Sequence, residues 1–268
     1  MLRVKLSVVY AMGLITVAIG LAGCSTAVVD KTVGMSPNAI YADAKDSMDN
    51  GQYDKAIPLF EKLEARAAGT PLAQQAQLDK AYAQYRSSEP AQAISTLDRF
   101  MKLHPASPAL DYALYLKGII NFNDDLGMFS AISRQDLSER DQKASKEAFE
   151  SFKELVARFP DSRYALDAAQ RMNYIVGSLA QYEVHVARYY FKRGAYLAAL
   201  NRAQTALADY RDVPALEEAL FITYKSYEAM GLTQLRDDTK RILETTYPQS
   251  DFLTKGERAK NDPWWKLW

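Results

Sequence analysis

Very few residues in this sequence could do chemistry. The 268-residue chain has one cysteine, Cys24, and two histidines, His104 and His185. A single thiol cannot form a disulfide within its own chain, and one Cys with two His does not complete a four-ligand metal site. His104 precedes Pro105 and reads as a loop or packing residue, while His185 lies inside a helical pattern. Neither has neighbours in sequence that assemble a Ser-His-Asp arrangement. The acidic pairs Asp124-Asp125, Glu217-Glu218 and Asp237-Asp238 read as solvated or helix-start charges, and no glycine-rich phosphate loop occurs. The expectation is a protein that is not an enzyme, with no catalytic residues, metal or other cofactor.

Cys24 is the exception, and its surroundings give it a use. Arg3 and Lys5 form a basic start, the run from Leu6 to Gly23 carries no charge, and small residues close it at Ala22 and Gly23. Basic start, apolar core and small-residue end make a secretory signal peptide. The run is only slightly short of the ~20 residues of a membrane span, so length does not decide between the two. Leu21-Ala22-Gly23-Cys24 does: it looks like a bacterial lipobox, where the thiol takes a diacylglyceride and becomes the new N-terminus. Residues 1–23 are then a cleaved leader and Cys24 a lipidation site. With several acyl chains the anchor is stable. Ser25 follows the cysteine where an aspartate would, in Gram-negative lipoproteins, retain the protein at the inner membrane, so the expected home is the outer membrane. Residues 24–36, with Gly34 near their end, Pro37 just beyond and no period, read as a tether.

Composition bounds the body. Lys plus Arg equal Asp plus Glu at 33 each, and losing Arg3 and Lys5 with the leader leaves a small acidic excess. No basic footprint for nucleic acid is present. Tyr (17) and Phe (10) supply large apolar area, Gly is sparse, and strand-like alternation is hard to find. The fold class expected is all-α.

A repeat organises that body. Ala56-Ile57-x-x-Phe60-x-x-Leu63, Ala93-Ile94-x-x-Leu97-x-x-Phe100 and Ala148-Phe149-x-x-Phe152-x-x-Leu155 each place one apolar stripe on a helix. Twelve positions before the alanine of the first two stripes stands a small residue, Ala44 before Ala56 and Ala81 before Ala93, with Ala187 before Ala199 as a later copy. Gly118 takes the equivalent place in the third copy. Helix ends recur at His104-Pro105, Phe159-Pro160 and Tyr247-Pro248, each followed by a serine that can cap the next helix. Gly51-x-Tyr53 and Gly194-x-Tyr196 form turns within pairs, and Gly231 opens a degenerate last copy. The pattern is similar to the tetratricopeptide repeat, a helix pair of about 34 residues. It predicts a superhelical solenoid of five such pairs beginning near residues 37, 74, 111, 180 and 217. The third interval holds an insertion at about 123–143 and a lengthened helix, roughly Arg163 to Lys192. Pro58 is expected in the first turn of its helix, where proline is tolerated. Repeats 1–3 would fill 37–143, repeats 3–5 residues 144–252, and a Trp-rich tail 253–268.

In such a solenoid the first helix of each pair lines a concave binding face. The inward positions fall on Tyr41 and Lys45, then Leu78, Tyr82, Tyr85 and Arg86, then Tyr112, Tyr115 and Phe122. Aromatic pockets with cations suit a peptide carrying aromatic side chains and a free carboxylate. The plain alternative is that these tyrosines pack between repeats. Farther on, Arg188, Lys192, Arg193 and Arg202 suit docking onto a partly acidic partner domain, against the alternative of a solvated basic face. The insertion carries Gly127, Met128, Phe129 and Ile132 in a polar frame, a partner contact or a loop folded back on the solenoid. The tail holds Trp264, Trp265 and Trp268, expected to dock on the last repeat or on a partner.

Several runs go further: I-Y-A-D-A at Ile40, L-D-K-A-Y-A-Q-Y at Leu78, L-D-R-F-M-K-L-H-P at Leu97, D-Y-A-L-Y-L-K-G at Asp111, V-A-R-Y-Y-F-K-R-G-A-Y at Val186 and the P-W-W-K-L-W ending. With the lipobox they closely resemble the BamD family of outer-membrane β-barrel assembly lipoproteins, also known as competence lipoprotein ComL. The resemblance implies a subunit of the barrel assembly (BAM) complex on the periplasmic face of the cell outer membrane. Its partners would be a POTRA domain of the central barrel BamA, smaller lipoproteins such as BamC and BamE, and unfolded outer-membrane barrel proteins held by their aromatic C-terminal signal. No cofactor beyond the lipid on Cys24 is implied. The rival reading is an envelope scaffold lipoprotein that binds peptidoglycan or cell-wall enzymes.

Overall fold

The computed structural model describes residues 30–122 and 142–256, and every regular element in them is helical. In chain order these are α1 (Pro37–Asp49), α2 (Tyr53–Arg66), α3 (Pro71–Arg86), α4 (Pro90–Leu103), α5 (Leu110–Phe122), α6 (Gln142–Arg158), α7 (Ala165–Lys192), α8 (Tyr196–Asp209), α9 (Ala215–Ala229), α10 (Thr233–Thr246) and the short α11 (Asp251–Lys255). Each helix from α1 to α10 packs on the next, and α7 also packs on α9. Five antiparallel pairs result, α1/α2 to α9/α10. They form the tetratricopeptide-like solenoid that the repeat predicts.

Four of the five pairs turn in the same way. One residue past the C-cap of α1, α3, α7 and α9 the backbone is left-handed, at Gly51 (φ 72°), Ser88 (63°), Gly194 (74°) and Gly231 (72°). The following N–H then donates back across the turn, Gln52 to the Ser47 carbonyl at 2.8 Å and Glu89 to the Gln84 carbonyl at 2.9 Å. Ala195 to Tyr190 and Leu232 to Tyr227 repeat the bond at 3.0 Å. This closes a helix while satisfying its last carbonyls. Ser88 alone carries a Cβ there, in a conformation that costs a non-glycine residue about 1–2 kcal/mol. Ser88→Gly should therefore raise stability by up to about 1 kcal/mol, the glycine's chain entropy offsetting part of the gain. A urea midpoint that stays put or falls would count against this.

After the second helix of four of the pairs another turn recurs. Thr70, Ser107, Ser162 and Ser250 each donate their N–H to the carbonyl three residues back, all at 3.0 Å. The side chains knit neighbouring pairs: the Ser107 hydroxyl donates to Gln74 at 3.1 Å and that of Ser162 to Asp111 at 2.7 Å. Gln74 and Asp111 are equivalent positions of α3 and α5, so the repeat is visible even in this bond.

The core sits where small residues let helices cross. Ala44, Ala81 and Ala187 are fully buried, as are Ala56, Ala93 and Ala199 on the partner helices. Phe60, Leu97 and Phe152 follow at i+4 and Leu63, Phe100 and Leu155 at i+7, all with no exposure. Each such side chain contributes roughly 1.5–3 kcal/mol through burial. In the third pair the crossing is tighter. A Cβ built on Gly118 would stand 2.7 Å from Cδ1 and Cζ of Phe152, so only glycine fits. The fifth pair shows why its repeat is degenerate: Arg236 and Lys240 stand where Ala and Phe stand elsewhere, and Thr239 and Leu243 are the buried residues of α10.

α7 spans two units. Its first half, with Ala165, Ala168 and Ile175, closes the core of the third pair, and its second half, with Ala180, Val184 and Ala187, opens the fourth. At 28 residues it runs for about 42 Å and joins the two halves of the solenoid without a turn.

Two expectations need correcting. Pro58 lies in the second turn of α2, because the left-handed residue at Gly51 lets the helix start at Tyr53. The tether also ends earlier than residue 36: Asp30 and Thr32 are bonded to Lys62 and Arg66 of α2. The periodicity gave no sign of this, because the segment is held by polar side chains and not by an apolar stripe.

Candidate binding face

The side chains that face α1, α3, α5 and the start of α7 form a row of tyrosines and carboxylates. Tyr41 of α1 donates its hydroxyl to Asp79 of α3 at 3.0 Å, and Gln75 donates to the other oxygen at 3.1 Å. Asp79 is buried at 8% exposure. Burial raises its pKa, against the hydrogen bond from Tyr41 and the charge of Lys45. Ionising it therefore costs the fold free energy, absent below the ordinary carboxylate range and complete once the pH passes the raised value. Burial, then the charge and hydrogen bond of Asp79, pushes the Tyr41 hydroxyl up to about 12. It stays a neutral donor at any physiological pH.

The row continues through α5. Tyr112 is pushed upward by burial first, and by Asp79, Tyr164 and Tyr82 around it. Its ring lies 5.8 Å from that of Tyr164, which stacks on Tyr115 at 4.6 Å. Tyr115 donates to Asp167 of α7 at 2.8 Å, and Arg171 donates to the same oxygen at 2.7 Å. Burial opposes ionisation of Asp167, but the bonds from Arg171 and Tyr115 win and hold its pKa low. The Tyr41–Asp79 and Tyr115–Asp167 bridges are alike: each joins the first helix of one pair to that of the next.

Guanidinium groups flank the row. Exposed Arg86 lies 5.2 Å over Tyr53 and 5.8 Å over Tyr82, whose hydroxyl it bonds at 2.9 Å. Exposed Arg163 lies 4.7 Å over Tyr164. Tyr85 is half-buried against the core of the second pair. Lys45 is half-buried on α1. The structure thus brings Tyr41, Lys45, Tyr82, Arg86, Tyr112 and Tyr115 to one face. The hydroxyls of Tyr41 and Tyr115 are spent on inter-pair bonds, so these two residues serve packing and surface together. Half-buried rings with positive charge beside them can hold an extended chain that carries aromatic residues and an anionic end. They offer no nucleophile and base pair.

Phe122 is not part of that surface, contrary to expectation. It is 5% exposed, packed edge-on against Phe152 at 6.4 Å and Tyr174 at 5.9 Å. Its place at the wall goes to Arg171, which lies 5.2 Å over the Phe122 ring, and to Tyr174, 53% exposed. Leu78 is likewise core, at 2%. Reading α7 onto the same face would have found the row Tyr164, Asp167, Arg171 and Tyr174, spaced along one helical stripe. The insertion between α5 and α6 broke the register and hid it.

The basic residues farther on are mostly engaged inside the chain. Arg188 is not a free docking charge: it is paired through two nitrogens to Glu218 of α9, one bond at 2.8 Å, and both side chains are largely buried. Arg202 pairs with buried Glu183 at 3.1 Å and remains 45% exposed. Arg193 stacks on Tyr189 at 5.3 Å, and Lys192 is exposed. Sequence reading missed exposed Tyr189 and Leu197 nearby, and Leu235 and Ile242 on the open face of α10. Their i, i+7 spacing on α10 was the available signal. Cys24, the insertion residues 123–141 and Trp264, Trp265 and Trp268 lie outside the described residues.

Among the described residues no cluster of His, Cys, Asp and Glu could hold a metal ion, and no helix is long and apolar enough to cross a membrane. His104 packs its ring 5.2 Å from Phe100.

Fold and face together define a helical repeat protein of the tetratricopeptide type. The family described as "YfiO: Outer membrane lipoprotein" matches residues 34–242. The chain is 45% identical over 262 residues to a protein of Neisseria meningitidis serogroup A, covering 95% of this chain and 98% of that one. It is 44% identical over 262 residues to a protein of Neisseria gonorrhoeae at the same coverage, and 32% identical over 222 residues to one of Vibrio cholerae, covering 83% and 92%. All three are named outer membrane protein assembly factor BamD. A solved Podosopora anserina putative kinesin light chain with TPR-like repeats overlaps at TM-score 0.35 and 16% identity, covering 81% of this chain and all of that one. That likeness is too slight to add to what the helix pairs show. The chain belongs to the YfiO family of outer membrane lipoproteins.

Proposed function

We propose that this chain is the lipid-anchored subunit of an outer-membrane β-barrel assembly complex, held by Cys24 on the periplasmic face. Its first three helix pairs would take the aromatic C-terminal ends of unfolded barrel proteins. Its last pairs would dock on a POTRA domain of the BamA barrel, with BamC and BamE as further partners. The observation that carries this reading is the likeness over 95% of the chain to relatives named as assembly factors for outer membrane proteins.

The face supports the first half. Tyr82, Tyr112 and Tyr164 present ring surface beside Arg86 and Arg163, which fits an aromatic side chain followed by a carboxylate. Exposed Lys192 and Arg202, with Tyr189 and Leu197, support the second half. No reaction or cofactor enters this reading; the protein works by holding two partners.

A labelled peptide with a C-terminal phenylalanine and free carboxylate tests the face. Arg86→Gln together with Tyr82→Ala should weaken its binding ten- to a hundredfold, about 1.4–2.8 kcal/mol. Arg202→Ala should leave it unchanged. Equal affinity for the peptide, its amide and all variants would sink the assignment of this face.

A further inference from the structure

The first described residues are built into the fold. Asp30 takes the Lys62 ammonium at 2.6 Å and lies 3.6 Å from the Arg66 guanidinium. Arg66 in turn donates to the Thr32 carbonyl at 2.6 Å and to its hydroxyl at 3.0 Å. Thr32 is 1% exposed, although it belongs to a single turn. The same turn carries Val33 at 76% exposure, the most exposed large apolar residue among the described ones, beside exposed Lys31.

Asp30 is six residue steps from Cys24, a reach of about 20 Å when fully extended. We infer that the turn Asp30–Met35 is a clasp that holds the N-terminal edge of the solenoid against the bilayer, with Val33 in the headgroup layer and Lys31 facing anionic lipid. The inference rests on the anchor at Cys24 proposed above. A lipid at Cys24 would not by itself fix how the body is oriented. Two cations of α2 gripping Asp30 and Thr32 remove that freedom and fix which edge of α2 lies nearest the membrane. One apolar side chain with one cation adds a small lipid contact to the anchor, the cation contributing about 1 kcal/mol near an anionic surface. A stable protein partner would need a far larger patch, about 800 Å² a side. Asp30 does not repel that surface, because Lys62 and Arg66 neutralise it.

The test uses the full-length lipidated protein in vesicles of phosphatidylethanolamine and phosphatidylglycerol. Val33→Cys offers the one thiol open to a nitroxide label, since that of Cys24 carries the diacylglyceryl group of the proposed anchor; Gln249→Cys places the same label on the turn after α10. The label at 33 should be several-fold more accessible to oxygen, relative to a water-soluble nickel chelate, than the label at 249. Lys62→Ala with Arg66→Ala, or the milder Asp30→Asn, should bring position 33 to the value at 249 while the protein still floats with the vesicles. A water-like value at 33 in a floating parent overturns the clasp and leaves the anchor standing. So does a membrane-like value at 33 that survives in both clasp variants. A protein that does not float overturns the anchor, and the clasp with it.

Discussion

Replacing Glu218 by alanine should cost the fold about 3–5 kcal/mol, because it strands a buried charge. Arg188 reaches Glu218 across the contact between α7 and α9, and the two side chains are only 18% and 10% exposed. Once the carboxylate is gone, the guanidinium has little water to turn to. The pair itself need not be worth that much. Replacing both residues by apolar ones of similar volume, Arg188→Met with Glu218→Leu, should restore most of the loss, because desolvation and attraction nearly cancel in the intact pair. Urea unfolding of the two singles and the double closes this cycle. A Glu218→Ala loss below about 1 kcal/mol would place the pair among surface bridges and return Arg188 to the set of docking charges. The result bears on function, since a partner lost in Arg188→Ala must be read against stability first.

Gly118→Ala is expected to destabilise by about 1–3 kcal/mol, the usual cost of overpacking a tight core. The added methyl would meet the ring of fully buried Phe152 at less than contact distance. Neither α5 nor α6 can retreat without opening the core that α7 closes. Gly118→Ala with Phe152→Leu should recover part of the loss, because the smaller side chain makes the room. Non-additivity of that double variant in thermal or urea unfolding is the signature expected of residues in contact. Simple addition of the two losses would mean that the crossing is not the reason for this glycine.

The repeat was legible because it is written in buried residues. Alanine at the helix crossing, a large apolar residue four positions on and a Pro-Ser stop recur with one spacing, and each sits where that spacing puts it. Gly118 was readable for the same reason, by its position against Ala44 and Ala81. The binding face was readable only in part. Inward positions counted from the repeat found Tyr41, Tyr82, Tyr112 and Tyr115, yet placed Phe122 on the surface. It lies at the end of α5, where Arg171 and Tyr174 of the long α7 cover it. Counting within one helix cannot show what a helix some fifty residues later lays over it. Charge partners were illegible for a like reason: Arg188 with Glu218, and Asp30 with Lys62, are thirty or more residues apart. Nothing in local spacing distinguishes a cation offered to a partner from one already satisfied within the chain.

In the proposed reading one chain grips two things, barrel-protein ends at its first pairs and the central barrel subunit at its last. Photo-crosslinking in living cells tests it most directly. One photoreactive residue would replace Tyr82 in α3 and another Arg202 in α8, each in the full-length lipoprotein. Barrel-protein C-termini should be captured at position 82 and the BamA subunit at position 202. Capture of cell-wall proteins alone, with no barrel subunit at either position, would contradict it and make the chain an envelope scaffold.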